Sequence, residues 1–116
     1  MKNKRLYIAG AYSSSDVIQV FENMRLGMKV ATELFLKGHY PFVPWFDHHF
    51  FFMKGDKKIT IEMIQEYSLR WLEVSDAMVV LPNWKKSKGT QFEIDMAKAL
   101  GIPIYYLDKK FKHKDL

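Results

Sequence analysis

Short apolar runs and longer amphipathic stretches alternate along the chain. Nearly continuous apolar runs of this length, bounded by Gly or Pro, are typical of buried strands. Four of them predict strands at residues 5–10, 40–44, 76–82 and 101–107. Apolar residues that recur every three or four positions indicate amphipathic helices. This spacing predicts helices over residues 17–35 and 60–75, and a third helix that follows a loop within residues 87–100.

The order of these elements, strand–helix–strand–loop–helix–strand–helix–strand, predicts the fold class. Strands that alternate with helices favour a parallel sheet with helices on both faces. We therefore expect an α/β fold, a single-domain flavodoxin- or Rossmann-like three-layer sandwich with a parallel sheet of four to five strands. A chain of 116 residues suits one domain spanning residues 1–116. In such sheets, ligands bind at the carboxyl ends of the strands, where the strand order reverses.

The first predicted helix has clear signals at both ends and one apolar face. Ser15 or Asp16 is suited to cap its start, and Gly38 to stop it. Gly27 on the apolar face would permit close approach to the sheet. We expect the buried face to comprise Val17, Val20, Phe21, Met24, Gly27, Met28, Ala31, Leu34 and Phe35.

Residues 45–58 follow no clean period and are interpreted as a loop or an irregular helix. Asp47, His48 and His49 raise the question of a metal site, but adjacent side chains seldom converge on one ion. No second cluster completes a ligand shell, so we expect neither a metal nor a cofactor. The aromatic residues here could stack on a base, form a dimer contact or cover the sheet; they are Trp45, Phe46, Phe50, Phe51 and Phe52.

Composition narrows the class of protein. Hydrophobic residues make up 48% and charged residues 27%, which is an ordinary globular balance. The absence of Cys excludes disulfides and thiolate metal sites, and it favours a cytoplasmic location. No apolar run approaches the roughly 18 residues needed to cross a bilayer. The apolar run near the start is too short for a signal peptide and makes a better first strand.

The net charge of +5 and the pI of about 9.4 are compatible with nucleic acid, a membrane surface or an anionic small molecule as partner. The excess lysines lie in the loop at 85–88 and in the tail at 109–114. We interpret the tail as a solvated end rather than a binding arm. No recognised nucleic-acid motif is present, so a nucleic-acid partner is not expected.

One carboxylate stands on an apolar helix face. From Glu93, helical steps reach Met96, Ala97 and Leu100, and a buried carboxylate is costly unless it is hydrogen-bonded or has a task. In one interpretation, Thr90 and Glu93 form a capping box at the start of the helix. In the other, Glu93 belongs to an active site, because two serine-containing loops lead from strands into helix N-termini, which attract anions. This convergence favours the active site.

Three segments together carry a resemblance: LYIAGAYS, RWLEVSDAMVVLP and SKGTQFEIDMAKALGIPI. In order and spacing they resemble the nucleoside 2-deoxyribosyltransferase superfamily, including the 2'-deoxynucleoside 5'-monophosphate N-glycosidases and small phage and bacterial relatives. The resemblance covers most of the chain except residues 45–58 and the tail. It implies an enzyme that hydrolyses or exchanges the base at an N-glycosidic bond. It also implies a homodimer or higher homo-oligomer, with the active site completed by a neighbouring subunit.

The resemblance carries specific roles onto matching residues. Glu93 matches the carboxylate that attacks or stabilises C1', and Tyr7 matches a strand tyrosine whose hydroxyl orients that carboxylate. Gly10 matches the turn glycine after the first strand. Ser87 and Gly89 match the loop that holds the 5' end of the substrate. Without the resemblance, Tyr7 could equally be a core aromatic and Ser87 a helix cap.

The residue types near Ser87 favour a nucleoside 5'-monophosphate over a free nucleoside. Transferases acting on free nucleosides tend to have Asp at that position, and a carboxylate would repel phosphate, whereas a hydroxyl beside backbone N–H groups would bind it. The neighbouring lysines add positive potential. The 11–15 loop, with Ala11 and Ser13, could supply further contacts to the phosphate.

Ser68 departs from the pattern of the glycosidases, which have an Asp there that is proposed to help the leaving base. Ser68 lies on the apolar stripe with Ile64, Trp71 and Leu72, and serine is a poor general acid. The leaving base could instead be served by Asp47, His48, Glu66 or water. Asp76 matches a structural strand-opening Asp. This departure supports the alternative function, a nucleotide- or signal-binding module that does not turn its ligand over.

Overall fold

Four parallel strands form one sheet in the computed structural model, which describes residues 3–45, 50 and 58–116. The strands are β1 (Arg5–Ala9), β2 (Tyr40–Phe42), β3 (Ala77–Val80) and β4 (Ile104–Tyr106). Their order across the sheet is β2-β1-β3-β4. The chain therefore moves from β1 to one side and then crosses to the other, so the strand order reverses between β1 and β3.

Three helices within the described residues connect these strands: α1 (Val17–Leu36), α2 (Ile61–Glu73) and α3 (Lys88–Ala99). Each begins at a side chain that accepts a hydrogen bond from a backbone N–H of the first turn. Asp16 accepts from Ile18 at 3.0 Å and Thr60 from Met63 at 3.1 Å. Of the two caps considered for the first helix, Asp16 is therefore the one used. Gly38 follows α1 with a φ of +96°, the left-handed conformation that ends many helices.

The residues of β1 alternate between two apolar layers. Leu6 and Ile8 pack in the cluster that contains Val30 and Leu34 of α1. Tyr7 and Ala9 point to the opposite layer, which contains Leu72 of α2 and Ile94 and Ala97 of α3. Helices therefore cover both faces of the parallel sheet. The predicted three-layer α/β fold with a parallel sheet of four to five strands is confirmed. Each strand is shorter than the apolar run that predicted it.

The predicted buried face of α1 is only partly correct. Val17, Phe21 and Phe35 are about 60% exposed, at 60%, 61% and 62%. The residues that face the core are Asn23, Gly27, Val30, Ala31 and Leu34. Gly27 permits a close approach as expected, but to a side chain: a Cβ there would lie 1.9 Å from Cζ2 of Trp45.

The segment after β4 packs against α1 rather than extending into solvent. Phe111 and Leu116 contact the core cluster on the α1 side of the sheet. Lys37 donates from Nζ to the backbone carbonyl of Leu116 at 2.9 Å. The tail lysines themselves are exposed, so the prediction of a solvated tail holds for these charges, but it is wrong for Phe111 and Leu116, which pack against the core.

Candidate active site

A cavity of about 440 Å³ lies at the carboxyl ends of β1 and β3, where the strand order reverses. One wall is α2, and the other is the start of α3 with the turn before it. The loop after β1 and the residues after β2 complete the lining. The lining residues are Gly10, Tyr12, Ser13, Pro44, Trp45, Ile61, Ile64, Gln65, Ser68, Leu69, Lys86, Ser87, Lys88, Gly89, Thr90, Phe92 and Glu93.

Glu93 lines this cavity and is held by a buried tyrosine. The Tyr7 side chain is fully buried and points from β1 into the layer of α2 and α3. Its hydroxyl donates a hydrogen bond to Oε2 of Glu93. Because Tyr7 is fixed by core packing on a central strand, this bond fixes the orientation of the carboxylate.

The start of α3 differs from the capping box considered for Glu93. Ser87 is the N-cap, and its Oγ accepts the Thr90 N–H at 3.1 Å. Thr90 therefore lies inside the first turn and cannot cap the helix. The buried face of α3 consists of Thr90, Ile94 and Ala97, and Glu93 lies beside it. Leu100, which was expected on the buried stripe, is 44% exposed.

The Ser87 hydroxyl both caps α3 and lines the cavity. Its Oγ accepts the Thr90 N–H and also the Thr90 hydroxyl, the latter at 2.9 Å. An oxygen that accepts two hydrogen bonds can still donate its own O–H. The ordinary interpretation of Ser87 as a helix cap is therefore correct, and the same residue can donate to an acceptor in the cavity.

Gly10 and Gly89 both line the cavity. Packing inside the protein excludes a side chain at Gly10 but leaves room for one at Gly89. A Cβ at Gly10 would lie 2.4 Å from Cδ1 of Leu81, so the packing of the loop after β1 requires glycine. A Cβ at Gly89 would meet only the Oγ of Ser87, at 3.9 Å. Glycine lowers helix stability relative to alanine, and nothing in the described contacts requires it at position 89.

Two asparagines that the sequence did not single out shape the loop after β1. The Asn83 side chain accepts the Ala11 N–H at 3.0 Å and so joins this loop to the one after β3. Asn23, only 4% exposed on α1, donates to the Tyr12 carbonyl at 3.1 Å. Ser13 lines the cavity, whereas Ala11 does not. The available signal was a polar Asn23 at helical spacing from Gly27, Val30 and Leu34.

The α3 side of the cavity is positively charged. Lys86 and Lys88 line it, on either side of Ser87. Lys85 instead lies over the Trp84 ring, with its Nζ 5.6 Å from the centroid. The cavity therefore combines cations, a helix N-terminus and one carboxylate at its α3 wall.

Of the described residues discussed for the leaving base, Ser68 lines the cavity and Glu66 does not. Ser68 is 6% exposed and lines the α2 wall. Glu66 is instead paired with Arg70, whose Nε donates to its Oε1 at 2.8 Å. Asp47 and His48, like His49, lie outside the described residues. Trp71, expected beside Ser68 on the buried stripe, is 47% exposed.

Asp76 precedes β3, at the amino ends of the strands, so it lies at the end of the sheet opposite the cavity. It accepts the Arg5 N–H at 2.8 Å, and this bond, with the Arg5 guanidinium, lowers the pKa of its carboxyl. The contact joins the starts of β1 and β3. The structural role expected for Asp76 agrees with this position.

The residues that the structure describes contain neither a metal-binding cluster nor a membrane-spanning helix. In that part of the chain, no group of three His, Asp or Glu side chains could hold a metal ion. Nor is any of its helices long and apolar enough to cross a membrane.

Comparison with protein families gives one assignment. The family model described as domain of unknown function DUF4406 matches residues 4–106. The chain belongs to the DUF4406 family. The matched residues include every strand and helix described above, and therefore the whole described cavity. A search of curated protein sequences found no match.

Solved structures share the fold of this DUF4406 protein at low sequence identity. A 2-desoxiribosyltransferase from Leishmania mexicana superposes with a TM-score of 0.62 and 19% identity, over 90% of this chain and 63% of that one. A 2-deoxyribosyltransferase from Bacillus psychrosaccharolyticus gives 0.62 and 17%, over 89% and 71%. A conserved protein from Enterococcus faecalis V583 gives 0.68 and 19%, over 97% and 69%. This chain thus shares the fold of these three proteins and spans less than two thirds of the Leishmania protein.

Proposed function

We propose that this protein cleaves the N-glycosidic bond of a deoxynucleoside 5'-monophosphate, releasing the base to water or exchanging it for another base. The observation that carries the proposal is the Glu93 carboxylate, oriented by buried Tyr7 and facing a cavity at the carboxyl ends of β1 and β3. The fold shared with two deoxyribosyltransferases supports the same chemistry.

Glu93 can supply what this reaction needs. When the C1'–N bond breaks, its electron pair leaves with the base, and positive charge spreads over C1' and the ring oxygen. A carboxylate beside C1' stabilises that charge or forms a bond to C1', as in retaining glycoside hydrolysis. Water or a second base then attacks C1' and releases Glu93. The Tyr7 hydroxyl keeps the carboxylate oriented, and that orientation lowers the entropic cost of reaching the transition state.

The α3 wall suits a phosphate at the 5' end of the sugar. The Ser87 hydroxyl can donate, Lys86 and Lys88 supply positive charge, and the first turn of α3 presents backbone N–H groups. The absence of a side chain at Gly89 lets a ligand approach that backbone closely. A free nucleoside would leave these groups without an anionic partner, which favours the monophosphate.

Base release from each deoxynucleoside monophosphate, followed by chromatography, tests the proposal. Replacing Glu93 by Gln keeps the size of the side chain and removes its charge, so kcat should fall by about a hundredfold or more. Asp95→Asn is the matched control, because Asp95 is an exposed carboxylate on the same helix. Base release that persists in Glu93→Gln would remove Glu93 from the mechanism.

A second candidate is a nucleotide-binding module with the same fold and no turnover. One observation favours it: Glu93 is the one carboxylate among the described lining residues, so none of these residues offers a second carboxylic acid to protonate the leaving base. Saturable binding of a deoxynucleoside monophosphate, without release of base over prolonged incubation, would support this module and contradict the enzyme.

We further propose that the protein is a homo-oligomer. Exposed apolar side chains on one side of α1 support an interface there; they are Val17, Phe21, Met28 and Phe35. Light scattering on the purified protein gives its mass in solution, and a monomer at micromolar concentration would contradict the proposal. The cytoplasmic location stays a prediction.

A further inference from the structure

Beyond the last rung of the β1–β3 ladder, a side chain joins the two loops that follow these strands. The last rung runs from the Leu81 N–H to the Ala9 carbonyl at 2.8 Å. The next bond of a parallel ladder would run from the Ala11 N–H to the Leu81 carbonyl. That carbonyl instead accepts the Trp84 N–H at 3.3 Å, and the Ala11 N–H donates to Oδ1 of Asn83 at 3.0 Å. The Asn83 amide therefore replaces one rung of the sheet where the two strands separate.

A second asparagine holds the next residue of the loop after β1. Asn23 on α1 is 4% exposed and donates from Nδ2 to the Tyr12 carbonyl at 3.1 Å. Its Oδ1 accepts from Nε2 of Gln19 at 2.9 Å, so both ends of the Asn23 amide are engaged. The Tyr12 ring stacks on the Trp45 ring, with centroids 6.4 Å apart. Two adjacent residues of this loop are thus bound by amide side chains from two different parts of the fold.

The loop held in this way forms one side of the cavity. Gly10, Tyr12 and Ser13 line it, and residues 13–16, which lead to the start of α1, are exposed. An exposed loop opens locally at low cost unless backbone hydrogen bonds hold it. A ligand binds only the fraction of molecules in which the loop has the competent shape, so the apparent affinity rises with that fraction.

We propose that Asn83 and Asn23 are positioning residues that hold residues 10–13 in the ligand-binding shape before the nucleotide arrives. This inference rests on the proposed function, because it takes the ligand to be a deoxynucleoside monophosphate. Neither asparagine is among the described residues that line the cavity, so each acts through the loop. A neutral amide suits position 83, since it accepts a backbone N–H without adding a negative charge near a phosphate.

Amide hydrogen exchange and nucleotide titration calorimetry on Asn83→Ala test the inference. The Ala11 N–H loses its acceptor, so its exchange rate should rise about tenfold or more. The affinity for a deoxynucleoside monophosphate should fall about two- to tenfold, the value of one neutral hydrogen bond, and saturating nucleotide should slow the exchange again. Asn83→Asp keeps an oxygen acceptor and should keep the slow exchange at Ala11; fast exchange in this variant would contradict the replaced rung.

Asp76→Ala is the matched control. Asp76 also accepts a backbone N–H between β1 and β3, that of Arg5 at 2.8 Å, but at the amino ends of these strands. This variant should lower the thermal midpoint and leave both the exchange at Ala11 and the nucleotide affinity unchanged. A lower thermal midpoint of Asn83→Ala with unchanged affinity would make Asn83 a structural link like Asp76 and would overturn the inference.

A double variant tests whether the two asparagines act on the same loop. Asn23→Leu removes the donor to the Tyr12 carbonyl and keeps a branched side chain, and it should weaken nucleotide binding by about two- to tenfold as well. Once one bond is lost the loop is already loose, so Asn83→Ala with Asn23→Leu should lose less affinity than the product of the two single losses. Losses that simply multiply would mean independent effects and would contradict a shared role in positioning.

The outcomes separate this inference from the proposed function. Unchanged nucleotide affinity in both single variants would overturn the positioning role even if base release continues. Weaker binding in these variants without any base release by the unmodified protein would support the positioning role and contradict the catalytic proposal. Failure of every deoxynucleoside monophosphate to bind the unmodified protein would overturn both.

Discussion

Replacing Gly89 by Ala should make the protein more stable and should weaken its binding of a deoxynucleoside monophosphate. A Cβ at this position meets only the Oγ of Ser87 at 3.9 Å, so the folded chain accepts it without strain. Alanine is favoured over glycine inside a helix by roughly 0.5–1 kcal/mol. For a domain of this size, the thermal midpoint should rise by about 2–8 °C.

The same methyl group would occupy part of the cavity where the phosphate is proposed to approach α3. We expect the affinity for a deoxynucleoside monophosphate to fall at least tenfold, which is about 1.4 kcal/mol. Asp95→Ala is the matched control: it also introduces alanine into α3, on the exposed side, and should raise stability without affecting binding.

Calorimetric melting and nucleotide titration on the two variants give both quantities. A stability gain with unchanged affinity in Gly89→Ala would show that the ligand does not approach α3 at this point, which would refute the placement of the phosphate. A loss of stability would refute the claim that the protein interior leaves room for a side chain at position 89.

Three further predictions concern other parts of the molecule. Tyr7→Phe removes the hydroxyl that orients Glu93, so kcat for base release should fall about tenfold to a hundredfold with little change in KM; an unchanged kcat would contradict the orienting role. Gly27→Ala places a Cβ 1.9 Å from the Trp45 ring and should lower the unfolding free energy by about 1–3 kcal/mol in urea titration, whereas Lys29→Ala on the exposed side should not. Burial, with Lys37 nearby, lowers the pKa of His39, so the unfolded chain binds a proton at His39 more readily than the folded protein does as the pH falls below about 6.5. The free energy of unfolding should therefore decrease from about pH 7.5 to about 5.5. Urea titrations of His39→Gln should lack this part of the pH dependence.

The strands and the helix ends were readable from the sequence because local features determine them. Strand β3 is buried on both faces, so its run of apolar residues carries the signal without any knowledge of the neighbours. Asp16 caps α1 through a bond to a residue two positions later. Such contacts lie within one turn of chain and therefore leave a pattern that the sequence alone can show.

The orientation of α1 was not readable in the same way, because this helix has two apolar stripes. One contains Val17, Phe21 and Phe35 and is exposed; the other contains Val30 and Leu34 and faces the sheet. Asn23 lies on the side of α1 that faces the core, although a ranking of residues by hydrophobicity alone would place it on the exposed side. Its burial is compensated by the hydrogen bond to the Tyr12 carbonyl, a contact that no periodicity reveals.

The pairing of Tyr7 with Glu93 depends on the strand order, which local patterns do not contain. The two residues are 86 positions apart. Parallel crossovers are nearly always right-handed, so the direction of each step across the sheet decides which face its helix covers. The step from β1 to β2 goes one way, and both later steps go the other, which places α2 and α3 together on the face opposite α1. Tyr7 points to that face from the central strand, and α3 presents Glu93 there. Had β2 and β3 been exchanged in the sheet, the same sequence patterns would have left Glu93 without this tyrosine, and the capping interpretation would have been the better one.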